Sequence, residues 1–206
     1  MNSREKILSK IKNIPIKEEF KGVDVVNFIN DESEDPVEEY ISRATENKAF
    51  VQRSQNLVTD INAIIKQQNA KNLIYPTDLP IDVSQVEAEV KFAFDRPVEE
   101  FKSELFNYDV SIIKATKAVS SHSVFCVTSS KSQPRLLSLT PRLCIVLLKK
   151  QDVVKSLSAC LNEIKKENEK LPTNILFICG PSRTSDIELV PVLGVYGSQI
   201  VYVLVY

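Results

Sequence analysis

Apolar positions along the chain follow two spacings. Apolar runs at residues 143–148 and 175–179, and one at 199–206 that is apolar at nearly every position, read as strands buried on both faces, because they do not alternate with polar positions. Shorter runs at 49–52, 71–75, 90–94 and 124–127 predict further strands. Between them, Leu57, Ile61, Ile64 and Ile65 recur at helical spacing and predict one buried helix face. Val37, Tyr40, Ile41 and Ala44 do the same for a helix that Asp35 caps and Pro36 opens. The acidic run at 31–40 is then a helix start, favoured by the macrodipole, and not a metal site. Val153, Leu157, Cys160, Leu161 and Ile164 mark another helix, with Asp152 as its cap. Its outward Glu163, Lys165, Lys166, Glu167 and Glu169 read as a solvated face. Residues 97–106 also read as helix, and residues 3–12 as a short amphipathic helix that Pro15 ends.

Helices alternating with strands predict an α/β layered domain. The clearest parallel strand–helix–strand unit spans 143–179. The organisation expected is an N-terminal helical extension, residues 1–30, and a single α/β domain, residues 31–206.

Composition narrows the function. With 206 residues, 43% hydrophobic and 26% charged, the chain is of ordinary globular make-up. A net charge of −1 gives no electrostatic reason to expect nucleic acid as a partner. No apolar run is long enough to span a membrane, and residues 1–6 lack the apolar core of a signal peptide. Four glycines include no phosphate-loop pattern. Cys126, Cys144, Cys160 and Cys179 are widely spaced, with no tight pair, so no metal or iron–sulfur ligand set is read in this chain. They read as buried reduced thiols, which fits the expected cytoplasmic location. His122, the one histidine, stands in a serine-rich turn and reads as exposed, without a triad.

Candidate chemistry concentrates after the run at 175–179. Gly180-Pro181 breaks it, and Ser182, Arg183, Thr184, Ser185 and Asp186 follow. In an open α/β sheet, ligands bind just beyond the carboxyl ends of strands. Arg183 offers a planar fork for a carboxylate or phosphate. Ser185 and Glu188 have capping-box spacing, so a helical turn starting there would aim backbone N–H groups at an anion. Gly194-Val-Tyr196-Gly197 predicts a tight turn with exposed amides. A bland alternative makes the whole cluster turn formers, with Arg183 and Asp186 as a structural ion pair.

The order Gly180-Pro-Ser-Arg-Thr-Ser-Asp-Ile-Glu188, Gly194-Val-Tyr-Gly197 and a terminal apolar strand resembles the LUD domain family, in particular its lactate utilisation protein C group. Gln133-Pro-Arg-Leu-Leu-Ser-Leu-Thr-Pro141, followed by the run at 143–148, is similar to that family's upstream block. The resemblance covers about residues 109–206. It implies a three-layer α/β/α fold with a mostly parallel sheet, similar to the CoA-transferase and formyltetrahydrofolate cyclo-ligase group. It implies an accessory subunit of a system oxidising L-lactate to pyruvate, with iron–sulfur clusters in partner subunits and no cofactor in this chain. The ligand-binding residues it implies are Ser182, Arg183, Thr184, Ser185, Asp186, Gly194, Tyr196 and Gly197, around a small anion; it leaves the catalytic residues unknown. The alternatives are a small-molecule enzyme of CoA-transferase or cyclo-ligase type and a non-catalytic interaction domain. The chain departs from the family pattern at Ser121 (glutamate), Ser123 (glycine) and Tyr196 (histidine). Without that glutamate, an independent enzymatic role loses its base or nucleophile.

Overall fold

A computed structural model describes residues 3–12, 35–101, 103–185 and 191–206. The chain divides into two units, Met1–Asn30 and Asp31–Tyr206. The first contributes helix α1 (Ser3–Lys12); Pro15 and the first four residues of the acidic run at 31–40 lie outside the described residues. The second unit begins with α2 (Pro36–Glu46), β1 (Phe50–Arg53), α3 (Leu57–Gln67), β2 (Asn72–Pro76), β3 (Val90–Phe94) and β4 (Val110–Lys114). It continues with β5 (Lys117–Val119), β6 (Val124–Thr128), α4 (Leu136–Leu139), β7 (Leu143–Leu148), β8 (Val153–Val154) and α5 (Leu157–Glu167). It closes with β9 (Ile175–Ile178), β10 (Arg183–Ser185), β11 (Pro191–Leu193) and β12 (Ile200–Val205).

Six strands form a wholly parallel central sheet in the order β1-β12-β7-β4-β2-β3. Both faces are covered, which is why β7 and β12 are apolar without alternation. Val110, Ile112, Leu143, Ile145, Leu147 and Leu204 pack on one face with Ile61, Ile64 and Ile65 of α3. Each such side chain contributes about 1.5–3 kcal/mol on full burial. Ile113, Cys144, Val146, Leu148, Val201 and Val203 pack on the other face with Tyr40 and Ala44 of α2 and Leu137 of α4. The mostly parallel sheet with flanking helices is the α/β fold that the pattern predicts.

That second face also receives a sheet absent from the sequence reading. β8-β5-β6-β9 form four short strands, with β6 antiparallel to both β5 and β9. Ala118, Phe125 and Val127 face the main core. Val119 and Cys126 point outward, where Cys160 and Ile164 of α5 cover them. The unit over 143–179 is therefore not a parallel βαβ: β7 lies in the central sheet, and β9 runs antiparallel to β6 in the small one. An apolar run carries no record of which sheet it joins.

Local corrections have local causes. Where a helix is expected over 97–106, the described residues form two short 3₁₀ turns, Val98–Glu100 and Glu104–Asn107. Asp35 caps α2 as expected, accepting from the Val37 N–H at 2.8 Å. The cap of α5 is Ser156, whose Oγ accepts from the Ala159 N–H at 3.1 Å; Asp152 lies before it in a 3₁₀ turn. Leu161 is exposed. Glu163 and Glu167, read as solvated, instead join Asp152 around the buried ammonium of Lys117, at 3.1, 3.0 and 3.1 Å. Among the described residues no helix is long and apolar enough to cross a membrane.

Tyr40 is fully buried, and its hydroxyl has no hydrogen-bond partner. Burial, with Cys179 nearby, holds its phenol above the ordinary tyrosine pKa. An unsatisfied buried hydroxyl costs about 1–3 kcal/mol, so Tyr40→Phe is expected to raise stability by about 1 kcal/mol in urea unfolding. A loss of stability would show that the hydroxyl is satisfied after all.

Candidate functional site

The site begins where β9 ends. Gly180 adopts φ +66°, and a Cβ there would lie 2.6 Å from the carbonyl oxygen of Asn47, at the end of α2. The chain then turns into a hairpin, β10 against β11, pairing Arg183 with Leu193, Thr184 with Val192 and Ser185 with Pro191. Ser185 is thus extended at the end of β10; Asp186 and Glu188, and with them the expected capping-box turn, lie outside the described residues.

The hairpin closes the Gly194–Gly197 turn onto Ser182. The Gly194 N–H, at φ +83°, donates to the Ser182 carbonyl at 2.9 Å. The Tyr196 N–H donates to Ser182 Oγ at 3.3 Å. The Ser182 N–H donates to the Ser198 carbonyl at 2.9 Å, and Ser198 Oγ donates to the Pro141 carbonyl at 2.8 Å. Two segments picked out from sequence therefore meet as one unit.

Beside this unit lies a cavity of about 410 Å³. Ser182, Arg183, Tyr196 and Gly197 line it; among the described residues Thr184 and Gly194 do not. Ser138 and Leu139, from the 133–141 block, line it too, as do Phe125, Cys144 and Val201. Cys144 and Val201 are each the second residue of a central strand, so the cavity sits at the amino ends of β7 and β12. The expected placement beyond a carboxyl end fails because β9 is not part of the parallel sheet.

Two contributors were not legible in the sequence as site residues. Cys179 reads there as one more buried thiol, yet it is half-buried and lines the cavity. Its Sγ lies 3.4 Å from Ser123 Oγ and 4.0 Å from the His122 carbonyl. Asn47, the C-cap of α2, is a junction: its Nδ2 donates to Ser123 Oγ at 2.6 Å, and its Oδ1 accepts from Arg183 Nη2 at 3.3 Å. An asparagine after a helix signals a C-cap, and nothing in its neighbours marks the second task.

The 118–124 turn shows what its departures do. Ser123 takes φ +51°, a conformation that favours glycine, and its hydroxyl is held by Asn47 and by the His122 carbonyl at 2.7 Å. The turn thus keeps a glycine-like shape without the glycine. Ser121, at the glutamate position, spends its hydroxyl on His122 Nδ1 at 2.7 Å, and Arg43 Nη1 binds its carbonyl at 3.0 Å. His122 is exposed, and its ring makes no contact with Cys179 among those described. Among the described residues no three His, Cys, Asp or Glu side chains are grouped to hold a metal, and no Asp or Glu lines the cavity. What the arrangement offers is a guanidinium, serine hydroxyls and a thiol over an apolar floor, suited to a small organic anion.

The LUD domain family matches residues 37–206. An uncharacterized protein of Neisseria meningitidis serogroup B is 30% identical over 108 residues, 52% of this chain and 46% of that one. Lactate utilization protein C of Halalkalibacterium halodurans is 28% identical over 149 residues, 66% of this chain and 63% of that one. Its namesake from Oceanobacillus iheyensis is 23% identical over 178 residues, 76% and 73% of the two chains. The chain thus spans less than half of the Neisseria protein and under two thirds of the Halalkalibacterium one. A crystal structure of a DUF162 family protein from Deinococcus radiodurans has a TM-score of 0.57 at 16% identity, over 82% of this chain and 95% of that one, and shares the fold.

Proposed function

The chain belongs to the LUD domain family, and we propose that it serves as an accessory subunit of a system that oxidises L-lactate to pyruvate, with the Ser182 cavity as its small-carboxylate site. The carrying observation is that two separated motif blocks, 133–141 and 180–197, line one cavity together with Phe125 of β6, and Arg183 is among the lining residues. The names of the Halalkalibacterium and Oceanobacillus relatives support the lactate connection. In this reading the Arg183 guanidinium and Ser182 hydroxyl take the carboxylate. Phe125, Leu139 and Val201 face the short carbon skeleton. Electron transfer belongs to iron–sulfur partner subunits, with this chain in the cytoplasm beside them.

A covalent route of CoA-transferase type has less support, since the hydroxyl of Ser121 is committed to His122. The test is Arg183→Ala. Losing a charge-assisted hydrogen bond costs about 1.5–3 kcal/mol, so Kd for L-lactate or pyruvate is expected to rise roughly 10- to 100-fold by calorimetry. The melting temperature should stay within about 2 °C, as expected for an exposed side chain. In a strain lacking the wild-type chain, the variant should fail to restore growth on L-lactate. Full growth with Arg183→Ala, or unchanged affinity, would overturn the reading. A lowered melting temperature with unchanged affinity would make Arg183 structural.

A further inference from the structure

The opposite edge of the central sheet carries a second cleft, of about 290 Å³. It opens at the carboxyl ends of the parallel strands and is lined by Asp78 after β2, Lys114 at the end of β4, Lys149 after β7, Thr116, Thr128 and Asp152. Strand order makes this edge special. From β2 the chain moves outward to β3, then returns past β2 to β4, so β2 and β4 flank a reversal of direction. A crevice beyond the carboxyl ends at such a reversal is where open α/β sheets take ligands.

The side chains there are arranged with more care than a surface ion pair requires. Lys114 Nζ reaches across the crevice to the Asp78 carboxylate and to the Asp78 carbonyl at 3.1 Å. Its backbone is held by Gln133, which is 5% exposed. Gln133 Oε1 accepts from the Lys114 N–H at 2.8 Å, and Nε2 donates to the Lys114 carbonyl at 2.9 Å. A side-chain amide here substitutes for a neighbouring strand and fixes the last residue of β4. An exposed lysine–aspartate pair is worth about 0–1 kcal/mol and does not by itself need such a clamp. On the wall, the Thr116 and Thr128 hydroxyls lie 2.8 Å apart.

Charge decides what fits. Lys114, Lys149 and Asp78 supply the charge facing the cleft, since Asp152 is held by Lys117, so a bare anion meets the Asp78 carboxylate and a bare cation meets two ammonium-bearing residues. A zwitterion answers both. We propose that this cleft binds a small α-amino acid, its carboxylate at Lys114 and the threonine hydroxyls and its ammonium at Asp78. The site is separate from the Ser182 cavity and does not depend on the function assigned there.

Three ligands of nearly equal size test the assignment on the full chain by amide NMR titration. L-alanine carries both charges, L-lactate replaces the ammonium by hydroxyl, and ethylamine lacks the carboxylate. L-alanine should shift the amides of Lys114, Thr116 and Thr128 saturably at millimolar concentration, and the other two should leave them in place. Lys114→Met and the near-isosteric Asp78→Asn should each weaken that binding about tenfold or more, as expected for a lost charge-assisted contact. Arg183→Ala should leave it unchanged. Equal shifts from L-lactate would make this a simple anion site and overturn the proposal. So would the absence of a saturable response to L-alanine, L-serine and L-glutamate alike, or undiminished binding by both folded variants.

Discussion

Lys117→Met is expected to lower the unfolding free energy by about 2–4 kcal/mol, since removing one partner of a buried ionic cluster strands the others. Lys117 is 6% exposed, and its ammonium is shared by Asp152, Glu163 and Glu167. Burial pulls its pKa down, but hydrogen bonds to Glu167, Glu163 and Asp152 override this and hold it above lysine's ordinary value. A raised folded-state pKa adds stability that is full at neutral pH and is lost only as pH climbs past the ordinary lysine range. Methionine keeps the length and removes the charge, leaving three carboxylates converging on an apolar tip. The side chains of Glu163 and Glu167 are 43% and 50% exposed, so both can turn toward water, which moves the expected loss toward the lower bound. The cluster ties α5 to β5, so the damage should appear first as hydrogen exchange in the small sheet. Urea unfolding supplies the magnitude, and adding Glu167→Gln should recover part of it. A loss under about 0.5 kcal/mol would reduce the cluster to an ordinary surface network.

Gly180→Ala is expected to cost about 2–4 kcal/mol and to weaken ligand binding in the Ser182 cavity as well. Two effects add. The left-handed backbone at φ +66° penalises any Cβ, and that Cβ would sit 2.6 Å from a backbone oxygen of Asn47. Backbone cannot step aside as a side chain can, so α2 and the strand end must separate. Asn47 holds both Arg183 and Ser123, so the separation spreads into the site. Gly194→Ala is the control. It shares the left-handed penalty at φ +83°, but its obstacle is the exposed side chain of Gln199, which can swing away. The difference between the two variants in thermal unfolding therefore isolates the Asn47 contact. Equal losses would show that the approach of α2 to Gly180 carries no weight.

How far these features were legible follows from the range of the forces that make them. Asp35 capping α2 depends on neighbours two residues away, and the buried stripe of α3 depends on spacings within eleven residues. The continuous apolar run of β7 required only that both faces be covered. Each was readable from the chain. The partner of β9 was not, since an apolar run serves equally in a parallel or an antiparallel sheet. Nor was the role of Lys117, because a lysine at the start of a strand normally reaches water, and only the folding of α5 over β5 brings the carboxylates to it. Ser182, Arg183, Tyr196 and Gly197 were legible as candidates because turn chemistry is local. Asn47 was not, since its bond to Arg183 spans 136 positions of chain.

By itself, then, the sequence determined the alternation of helices and strands, the cap of α2, a central sheet covered on both faces, and membership of the chemistry-bearing segments in one family pattern. These rest on propensity and periodicity, which act within a few residues. Tertiary structure alone decided that a second sheet intervenes, that the Ser182 cavity lies at the amino ends of β7 and β12, and that Lys114 and Asp78 face each other across the opposite edge. Those outcomes depend on which surfaces bury each other best, a choice the whole chain makes at once.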